Sequence, residues 1–516
     1  MSLLSVIYGK SKPFLLGWLG LLLIYSCKTD EGVIVKNKAP STKIAIDTIS
    51  LPDSLRLFTQ VKLHWSGFDS DGFITGYRIG WYKDSVTAFN KLSSSPIVKN
   101  TDSTFLFNFS GTSNLADINF FVQAIDDIGL SDPNPAYLRI PVKNSPPTIK
   151  FLTEGLSEAD TIWSVASFPY AFSDPEGPQN LDSVFFRIND SKWVGLPKNI
   201  NFISIVPTNP SSFSESDVVV YAGENLAGSN LEPSPIPNIL ISGLKLNDYN
   251  RFYIKVKDLA GAEGIDSIQN PYYFKRKTGD LLMIDAYKGP MLLSDTIYSN
   301  IVSRLTNFDK IDFFNSDKNQ PKFWNATFYL ICKLYKKVFW YSDVLTETPN
   351  QTQLLISSAS NALSQYLRFN GKLLASIRFP NSNRLLIDDP LFSYIPVESY
   401  INLNLRRTSF AEPTQVDLPY PKLTILNPQS LKPPSSLILN VNMFKVKSGA
   451  DSLYFIPKPS ITTVHTGPGF PVACRTRNPN GKTNLIVFSM ELAYFSGNYE
   501  ALNNTFKIIL DEEFNW

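Results

Sequence analysis

Histidine and cysteine are nearly missing from this chain, which has 2 His and 3 Cys among 516 residues. Histidine is the side chain that most often serves as a general acid or base, so catalysis that depends on it is almost excluded. Three cysteines cannot form the framework of a small disulfide-stapled scaffold, and Cys332 with Cys474 would allow one bridge. The chain is therefore predicted to be held together by hydrophobic cores.

An excess of charge of one sign is missing as well. The sequence has 48 basic and 46 acidic residues, a net charge of +2, and no basic block, so nucleic acid is not predicted as a partner. The apolar run at residues 14–24 is shorter than the roughly 20 residues that a membrane-spanning helix needs. Aromatic residues are abundant, and pairs such as Trp81-Tyr82 and Trp340-Tyr341 are predicted to pack in cores, with sugar stacking as the alternative.

The first 26 residues have the pattern of a cleavable export signal. Lys10 and Lys12 precede the apolar run, and Ser26-Cys27 follows it. This end resembles the lipobox of bacterial lipoproteins, in which the Cys is acylated and becomes the first residue of the mature chain. The resemblance implies that Cys27 anchors the protein to a membrane and that residues 27–39 are a tether; an ordinary secretory signal is the alternative. The charged residues 28–31 resemble the signal that sends some lipoproteins to the cell surface, which implies an outer-membrane lipoprotein in the cell envelope.

Short triplets of Asp, then Ser or Thr, then an aliphatic residue or Thr recur more often than the roughly two that composition predicts. They begin at Asp47, Asp53, Asp84, Asp102, Asp160, Asp182, Asp266, Asp295 and Asp451. They resemble the O-glycosylation acceptor of certain bacterial envelope proteins. Turn initiation by Asp-Ser and Asp-Thr is the alternative, and both interpretations predict exposed strand ends.

From about residue 40 to 268 the pattern of short alternating apolar runs between turn residues predicts β-sandwiches rather than helices. Residues 119–129 align without gaps to residues 251–261, and Tyr77-Arg78-Ile79 parallels Phe186-Arg187-Ile188, which indicates two copies of one domain. The copies resemble immunoglobulin-like or fibronectin type III modules, at 40–143 and 146–278, joined by a stiff segment that contains Pro146-Pro147.

Acidic loops at one pole of these sandwiches make calcium the one candidate cofactor. Hard oxygen ligands on loops suit this ion, while Asp-Gly turn chemistry without a metal is the alternative. The candidate ligands are Asp69, Asp71, Asp126 and Asp127 in the first copy, and Asp174, Glu176 and Asp258 in the second.

After Gly279 the composition changes to buried apolar strands that alternate with helices, which predicts a parallel sheet covered on both faces. Residues 279–516 resemble a degenerate, extracellular form of the class I glutamine amidotransferase-like fold, a flavodoxin-like α/β domain. The Pro-, Asn- and Ser-rich stretch at about 388–461 fits such a sheet poorly and is predicted to be a long insertion.

A functional crevice of such a domain would lie at the carboxyl ends of the strands. The candidate pocket residues there are Asp285, Tyr287, Asp343, Ser376, Arg378 and Glu491. The amidotransferase family needs a Cys nucleophile after the strand that ends at Ile377 and a His after the last strand, and this sequence has neither. His64 on a sandwich strand and His465 near Cys474 do not supply a catalytic pair either, so no catalytic residue is predicted.

The sequence therefore predicts a non-catalytic, lipid-anchored envelope protein. Two sandwich modules would form a stalk, and the α/β domain would present a surface to a protein or glycan partner. The alternatives are a glycan-binding surface lipoprotein and a hydrolase with a carboxylate site at Asp285, Asp343 and Glu491.

Overall fold

The computed structural model describes residues 36–46, 56–107, 114–152, 161–228, 230–268, 270–287, 292–314, 320–342, 345–348, 351–379, 388–401, 406–407, 410–414, 417–425, 440–441, 443–457 and 469–515. The predicted signal and Cys27, the charged residues 28–31, Asp343 and His465 lie outside these ranges. The chain divides into two compact units, one ending at Asn144 and the other beginning at Ser145.

The first unit is a β-sandwich. Its strands are β1 Ser41–Ile46, β2 Gln60–Phe68, β3 Ile74–Tyr82, β4 Asp102–Leu106, β5 Leu115–Asp126 and β6 Ala136–Lys143. They form two three-stranded sheets, β1-β2-β4 and β3-β5-β6. Every second residue of a strand points to the same side, so Leu63, Phe120 and Val122 are completely buried between the sheets. The predicted fibronectin type III or immunoglobulin-like architecture is confirmed for this unit.

A helix interrupts the predicted all-β pattern of this unit. Helix α1, Ser85–Ser94, begins after Asp84, whose side chain accepts a hydrogen bond from the amide of Thr87 at 2.8 Å. The helix lies directly on β3, because a Cβ atom on Gly80 would stand 2.3 Å from the carbonyl oxygen of Ala88. The prediction of a domain without helices was therefore wrong here, and the Asp84-Ser85 pair is a helix cap.

The second unit begins with another sandwich. Its strands are β7 Thr148–Phe151, β8 Thr161–Trp163, β9 Ala166–Ser173, β10 Leu181–Ile188, β11 Val194–Leu196, β12 Phe202–Pro207, β13 Glu215–Ala222, β14 Leu240–Lys245, β15 Asp248–Asn250, β16 Phe252–Asp258, β17 Glu263–Ser267 and β18 Tyr272–Lys275, with a short 3-10 helix at Pro178–Asn180. The two main sheets are β14-β13-β12-β9-β7 and β11-β10-β16-β17, and β15-β18-β8 form a third. This is again a fibronectin type III or immunoglobulin-like arrangement, as predicted.

The strand pairing shows how the two sandwiches correspond. Ile74 of β3 pairs with Asp126, and Leu181 of β10 pairs with Asp258, with a bulge directly after each pair. Tyr77 therefore corresponds to Val184, not to Phe186 as the sequence parallel implied. Because strand side chains alternate with a period of two, an error of two residues leaves the buried pattern unchanged and is invisible in the sequence.

The rest of the second unit is built on a nine-stranded sheet. The strands of this region are β19 Leu281–Asp285, β20 Phe308–Asp312, β21 Lys337–Ser342, β22 Leu345–Thr348, β23 Gln351–Leu354, β24 Lys372–Ile377, β25 Val397–Tyr400, β26 Arg406–Arg407, β27 Phe410–Pro413, β28 Leu423–Thr424, β29 Asn440–Val441, β30 Phe444–Val446, β31 Asp451–Pro457, β32 Gly469–Arg477 and β33 Thr483–Phe488. Six of them form the separate two-stranded sheets β22-β23, β25-β30 and β26-β29, and the other nine form the central sheet. The order in the sheet is β20-β19-β21-β24-β33-β32-β31-β27-β28. The first five strands in this order are parallel, and the last four continue the sheet in antiparallel pairs.

Helices cover both faces of the parallel strands. They are α2 Leu292–Val302, α3 Tyr329–Lys333, α4 Leu355–Ser358, α5 Ser360–Arg368 and α6 Tyr499–Lys507, with π-helical turns at Trp324–Phe328 and Ile508–Glu513 and 3-10 turns at Pro390–Ser393 and Leu492–Phe495. One core contains Val338 and Trp340 of β21 with α3, α4 and α5, whereas the other contains Phe339 and Tyr341 with α2 and α6. The strands are buried on both sides, which is why they read as continuous apolar runs.

Part of the segment 388–461 belongs to the central sheet. Strands β27, β28 and β31 come from it and extend the central sheet beyond β32. The expectation that this stretch fits the sheet poorly was wrong for these strands, while its assignment as an insertion stays a prediction. They are short and interrupted by Pro, Asn and Ser, so no period of two extends far enough to be recognised.

The second sandwich and the α/β domain share a core. Trp163, Val165, Val206 and Tyr221 of the sandwich belong to the same buried cluster as helices α3 to α5. The segment between β13 and β14 reaches one of these helices, α5, where the side chain of Gln365 donates to the carbonyl of Leu231 at 3.2 Å, and the amide of Ala227 donates to the carbonyl of Asn325, in the π-helical turn before α3, at 2.8 Å. The region 145–515 is thus a single compact body rather than two independent modules.

Candidate functional site

Buried polar side chains collect at the carboxyl ends of the parallel strands, where a ligand would bind in an open α/β sheet. Asp285 ends β19 and is 5% exposed, Ser376 lies near the end of β24, and Glu491 follows β33; the last two are completely buried. The predicted residues are therefore at the predicted edge, but they belong to the interior.

Asp285 has a strongly perturbed carboxyl group. Its Oδ1 accepts a hydrogen bond from the amide of Tyr287 at 3.1 Å, and its Oδ2 lies 3.9 Å from the Nζ of Lys310. Burial raises the pKa of Asp285 to about 6, and the neighbouring carboxylate of Asp312 adds to the rise, while the Tyr287 amide opposes it. A carboxyl group with this pKa could exchange a proton near neutral pH.

Tyr287 links two of the predicted residues. Its amide contacts Asp285, and its hydroxyl donates to Oε2 of Glu491 at 3.3 Å. Asp343, the third carboxylate of the predicted hydrolase site, lies outside the described residues. Arg378 joins this edge by its backbone amide, which donates to the carbonyl of Ser342 at 3.2 Å, and its side chain is exposed.

Ser376 is fully engaged in internal hydrogen bonds. Its Oγ donates to the carbonyl of Met490 at 3.1 Å, accepts from the amide of Leu492 at 3.0 Å, and lies 3.2 Å from the hydroxyl of Tyr298. The Tyr298 hydroxyl in turn accepts from the amide of Ala493 at 2.9 Å. These bonds join β24 to the turn after β33, so Ser376 has a structural role at a position where no nucleophile was predicted.

The sequence did not single out Tyr298, Lys310 or Asp312 as members of this edge. Asp312 ends β20 beside Asp285, so the rule used for Asp285 would also have found it. Tyr298 lies in the middle of α2, and only the packing of α2 on the sheet brings it to Ser376.

The acidic turns of the two sandwiches have the same internal geometry. Asp126 and Asp258 each accept a hydrogen bond from the amide four residues later, Leu130 at 2.7 Å and Ala262 at 2.8 Å. Each turn closes through a glycine at positive φ, 87° for Gly129 and 101° for Gly261, a conformation that other residues rarely adopt. The repeat seen in the sequence is therefore a repeat of this turn.

The carboxylates of these turns are largely occupied by the protein itself. Burial opposes ionisation of Asp126, but hydrogen bonds from the Asn37 side chain and from backbone amides hold the pKa of Asp126 below its usual value. In the second copy, Asp174 accepts from the amide of Glu176 at 2.7 Å and from the side chain of Asn180 at 3.2 Å.

Two other candidate ligands, Asp69 and Asp127, flank Gly72, and Asp71 accepts from the amide of Lys38 at 3.0 Å. Among the described residues, no group of three or more His, Cys, Asp or Glu side chains could hold a metal ion. Calcium binding stays a prediction, and these side chains as placed do not form a cage for it.

Both described cysteines are buried free thiols. Cys332 of α3 and Cys474 of β32 are completely buried, and burial raises the pKa of each thiol above its ordinary value. The two are not bridged to each other.

No family profile and no curated protein matches the sequence. Among solved structures, the chain aligns with fibronectin(III)-like modules of CbhA from Clostridium thermocellum at 11% identity, over 45% of this chain and 94% of that chain, with a TM-score of 0.17. It also aligns with a bacterial ice-binding adhesin at 12% identity, over 47% of this chain and 67% of that chain, with a TM-score of 0.18. A repeat from the extending region of a large adhesion protein matches at 15% identity, over 47% and 51% of the two chains, with a TM-score of 0.17.

These scores are too low to support a functional argument, and the architecture of the sandwiches rests on their strand pairing. Within the described residues, no helix is both long enough and apolar enough to cross a bilayer.

Proposed function

We propose that this chain is a non-catalytic, lipid-anchored protein of the bacterial cell envelope that presents a binding surface. The observation that carries the non-catalytic part is the closed edge of the parallel sheet. Ser376 and Glu491 are completely buried there, and the Ser376 hydroxyl is committed to Met490 and Leu492. A nucleophile must be exposed and placed beside a base, and this arrangement provides neither.

The strand order supports a flavodoxin-like assignment for the α/β domain. Numbered along the chain, the five parallel strands β19, β20, β21, β24 and β33 stand in the order 2-1-3-4-5, which is the flavodoxin-like order. We infer a degenerate amidotransferase-like scaffold, because Ser376-Ile377-Arg378 stands where that family has its nucleophile turn.

The shared core changes the roles that we propose for the two sandwiches and the α/β domain. The first sandwich acts as the spacer between the tether and the rest of the protein, and residues 145–515 act together as the binding body. The proposed surface location follows from the resemblance of residues 24–31 to lipoprotein processing and sorting signals.

The anchor is tested by feeding an alkyne-labelled fatty acid to cells that express the full chain. Label is expected on the wild-type protein and on Cys332→Ala, and it should be lost in Cys27→Ser. Protease treatment of intact cells then reports whether the anchored protein is outside. Labelling of Cys27→Ser, or an unlabelled wild-type protein, would contradict the anchor.

A carboxylate hydrolase remains the second candidate, because the pKa of Asp285 is raised to about 6 and Tyr287 contacts both Asp285 and Glu491. It is tested with a panel of chromogenic glycosides and esters. A turnover that Asp285→Asn abolishes and that the surface change Lys150→Gln preserves would establish this candidate and remove the non-catalytic proposal.

A further inference from the structure

One outer sheet face of the second sandwich combines cations and aromatic rings. In sheet β11-β10-β16-β17 the side chains of Val184, Phe186, Ile254 and Val256 point into the core. Strand alternation sends their neighbours to the opposite face. We name this surface the cation-aromatic face; its residues are Phe185, Arg187, Trp193, Tyr253, Lys255 and Lys257. Ile265 of β17, opposite Lys255, is 59% exposed, so this side of the sheet meets solvent.

The aromatic rings hold the cations in fixed positions. The guanidinium carbon of Arg187 lies 4.7 Å from the ring centre of Trp193 and 4.5 Å from that of Tyr253. The Nζ of Lys255 lies 5.2 Å from the ring centre of Phe185 and 4.9 Å from that of Trp193. Such contacts orient a cation without neutralising it, because a ring carries no net charge.

The face has more positive than negative charge. Lys255 pairs with Glu263 at 3.1 Å, but within the described residues neither Arg187 nor Lys257 forms an ion pair. The Nε of Arg187 is buried and makes no hydrogen bond with any described residue. The two Nη atoms of a guanidinium carry four N–H donors in one plane that suit carboxylate, sulfate or phosphate groups, so the Nη atoms of Arg187 can bind an anion that the described chain does not supply.

The cations follow a line along the strands. Arg187 stands opposite Tyr253, and Lys255 and Lys257 continue on β16 at every second residue, which corresponds to steps of about 7 Å. A row of this kind fits an extended polymer with repeated negative charges. Extended peptides usually add to sheet edges, and double-stranded DNA carries one negative charge per roughly 1.7 Å, a much denser row than cations about 7 Å apart match. Sugar rings, in contrast, can pack on aromatic side chains such as Trp193 and Tyr253.

We propose that the cation-aromatic face binds an acidic polysaccharide. Arg187 and Lys257 pair with its carboxylate or sulfate groups, and Trp193 and Tyr253 pack against its sugar rings. This inference rests on the proposed function of a non-catalytic binding protein and names the class of its partner.

The test uses the full chain in detergent and measures binding to immobilised polygalacturonate, dextran sulfate, uncharged dextran and polyglutamate. Arg187→Gln and Lys257→Gln are the test variants, and Arg187→Lys keeps the charge but loses the planar fork. The matched control is Lys150→Gln, which removes a positive charge from an exposed position on β7 in the other sheet of the same sandwich. Thermal unfolding of each variant shows whether it is folded, and Lys257→Gln keeps the test valid if Arg187→Gln is not.

At least one acidic polysaccharide is expected to bind with an affinity that falls as salt rises, and uncharged dextran is not. Each Gln variant should weaken that binding about tenfold, Arg187→Lys less, and Lys150→Gln not at all. Failure of both acidic polysaccharides to bind, preference for polyglutamate, or equal binding by all folded variants would overturn the inference. A fatty-acid label on Cys27 in the same preparation would show that the proposed anchor survives such a result.

Discussion

Removal of the α/β domain should unfold the sandwich that remains. In the intact chain, Trp163 is 6% exposed, Val165 1%, Val206 7% and Tyr221 7%, and all four belong to the core shared with helices α3 to α5. A fragment of residues 145–278 would leave these side chains partly in water. It would also lose polar contacts such as the one that joins the hydroxyls of Ser167 and Thr327 at 2.6 Å.

The expected loss is large compared with the stability of a domain. Full burial of one large apolar side chain contributes about 1.5–3 kcal/mol. If removal exposes half of each of the four side chains, the sandwich loses about 3–6 kcal/mol, whereas whole domains are stable by about 5–15 kcal/mol. We therefore expect the fragment to be unfolded or close to its unfolding transition without denaturant.

The measurement is urea unfolding followed by tryptophan fluorescence and far-UV circular dichroism. Fragment 145–515 should unfold cooperatively, fragment 145–278 should not, and fragment 36–144, the separate first unit, should fold by itself. A cooperative transition of fragment 145–278 within about 0.5 M urea of that of fragment 145–515 would refute the shared core as a source of stability.

Single substitutions give three further tests, all by urea unfolding. Asp285→Asn should stabilise the protein at pH 7.5 by about 1–3 kcal/mol, because the pKa of this carboxyl is about 6 in the folded chain against 3.8 in the unfolded chain, so its ionisation costs stability as the pH rises through this range. The gain should vanish near pH 4. A gain independent of pH would contradict this. Tyr298→Phe should lower the free energy of unfolding by about 1–3 kcal/mol, because it removes the hydroxyl that accepts from the buried amide of Ala493. Tyr329→Phe removes a buried hydroxyl that makes no hydrogen bond in the described residues, so it should be neutral or stabilising. Equal effects of the two variants would count against this argument. Asp258→Ala should lower the free energy of unfolding by about 1–3 kcal/mol, and Asp258→Asn should lower it less, because the amide oxygen of Asn can still accept from Ala262. A rise in stability on addition of calcium that both variants lose would support the calcium prediction.

The sandwiches were predictable because their signals are local and repeated. Alternation placed Phe120, Val122 and Ala124 in one core and Phe252, Ile254 and Val256 in the other, and all six are completely buried. Helix α1 was missed because it buries only Ala88 and Leu92, too few positions to show a helical period.

The location of the candidate site could be predicted from the sequence, but whether the site is open or buried could not. A carboxyl end of a parallel strand can be read from the sequence, and Asp285 is there. Whether the edge is open depends on Tyr298 from α2 and on the turn at Leu492, which approach Ser376 only in the folded chain. The shared core was also hidden, because the segment between β13 and β14 has the Gly, Asn and Pro composition of an ordinary loop.

The two buried thiols make the α/β domain open to oxidation whenever it unfolds. We expect Cys332 and Cys474 to react slowly with oxidants while the α/β domain is folded, because both thiols are completely buried and burial raises the pKa of each. A chain that opens in an oxidising compartment exposes two reactive sulfur atoms at once, and a disulfide formed between them, or with another chain, would block return to the closed form. The rate at which a thiol reagent modifies these positions would therefore record how often the domain opens, and the reducing power of the surroundings would decide whether each opening is reversible.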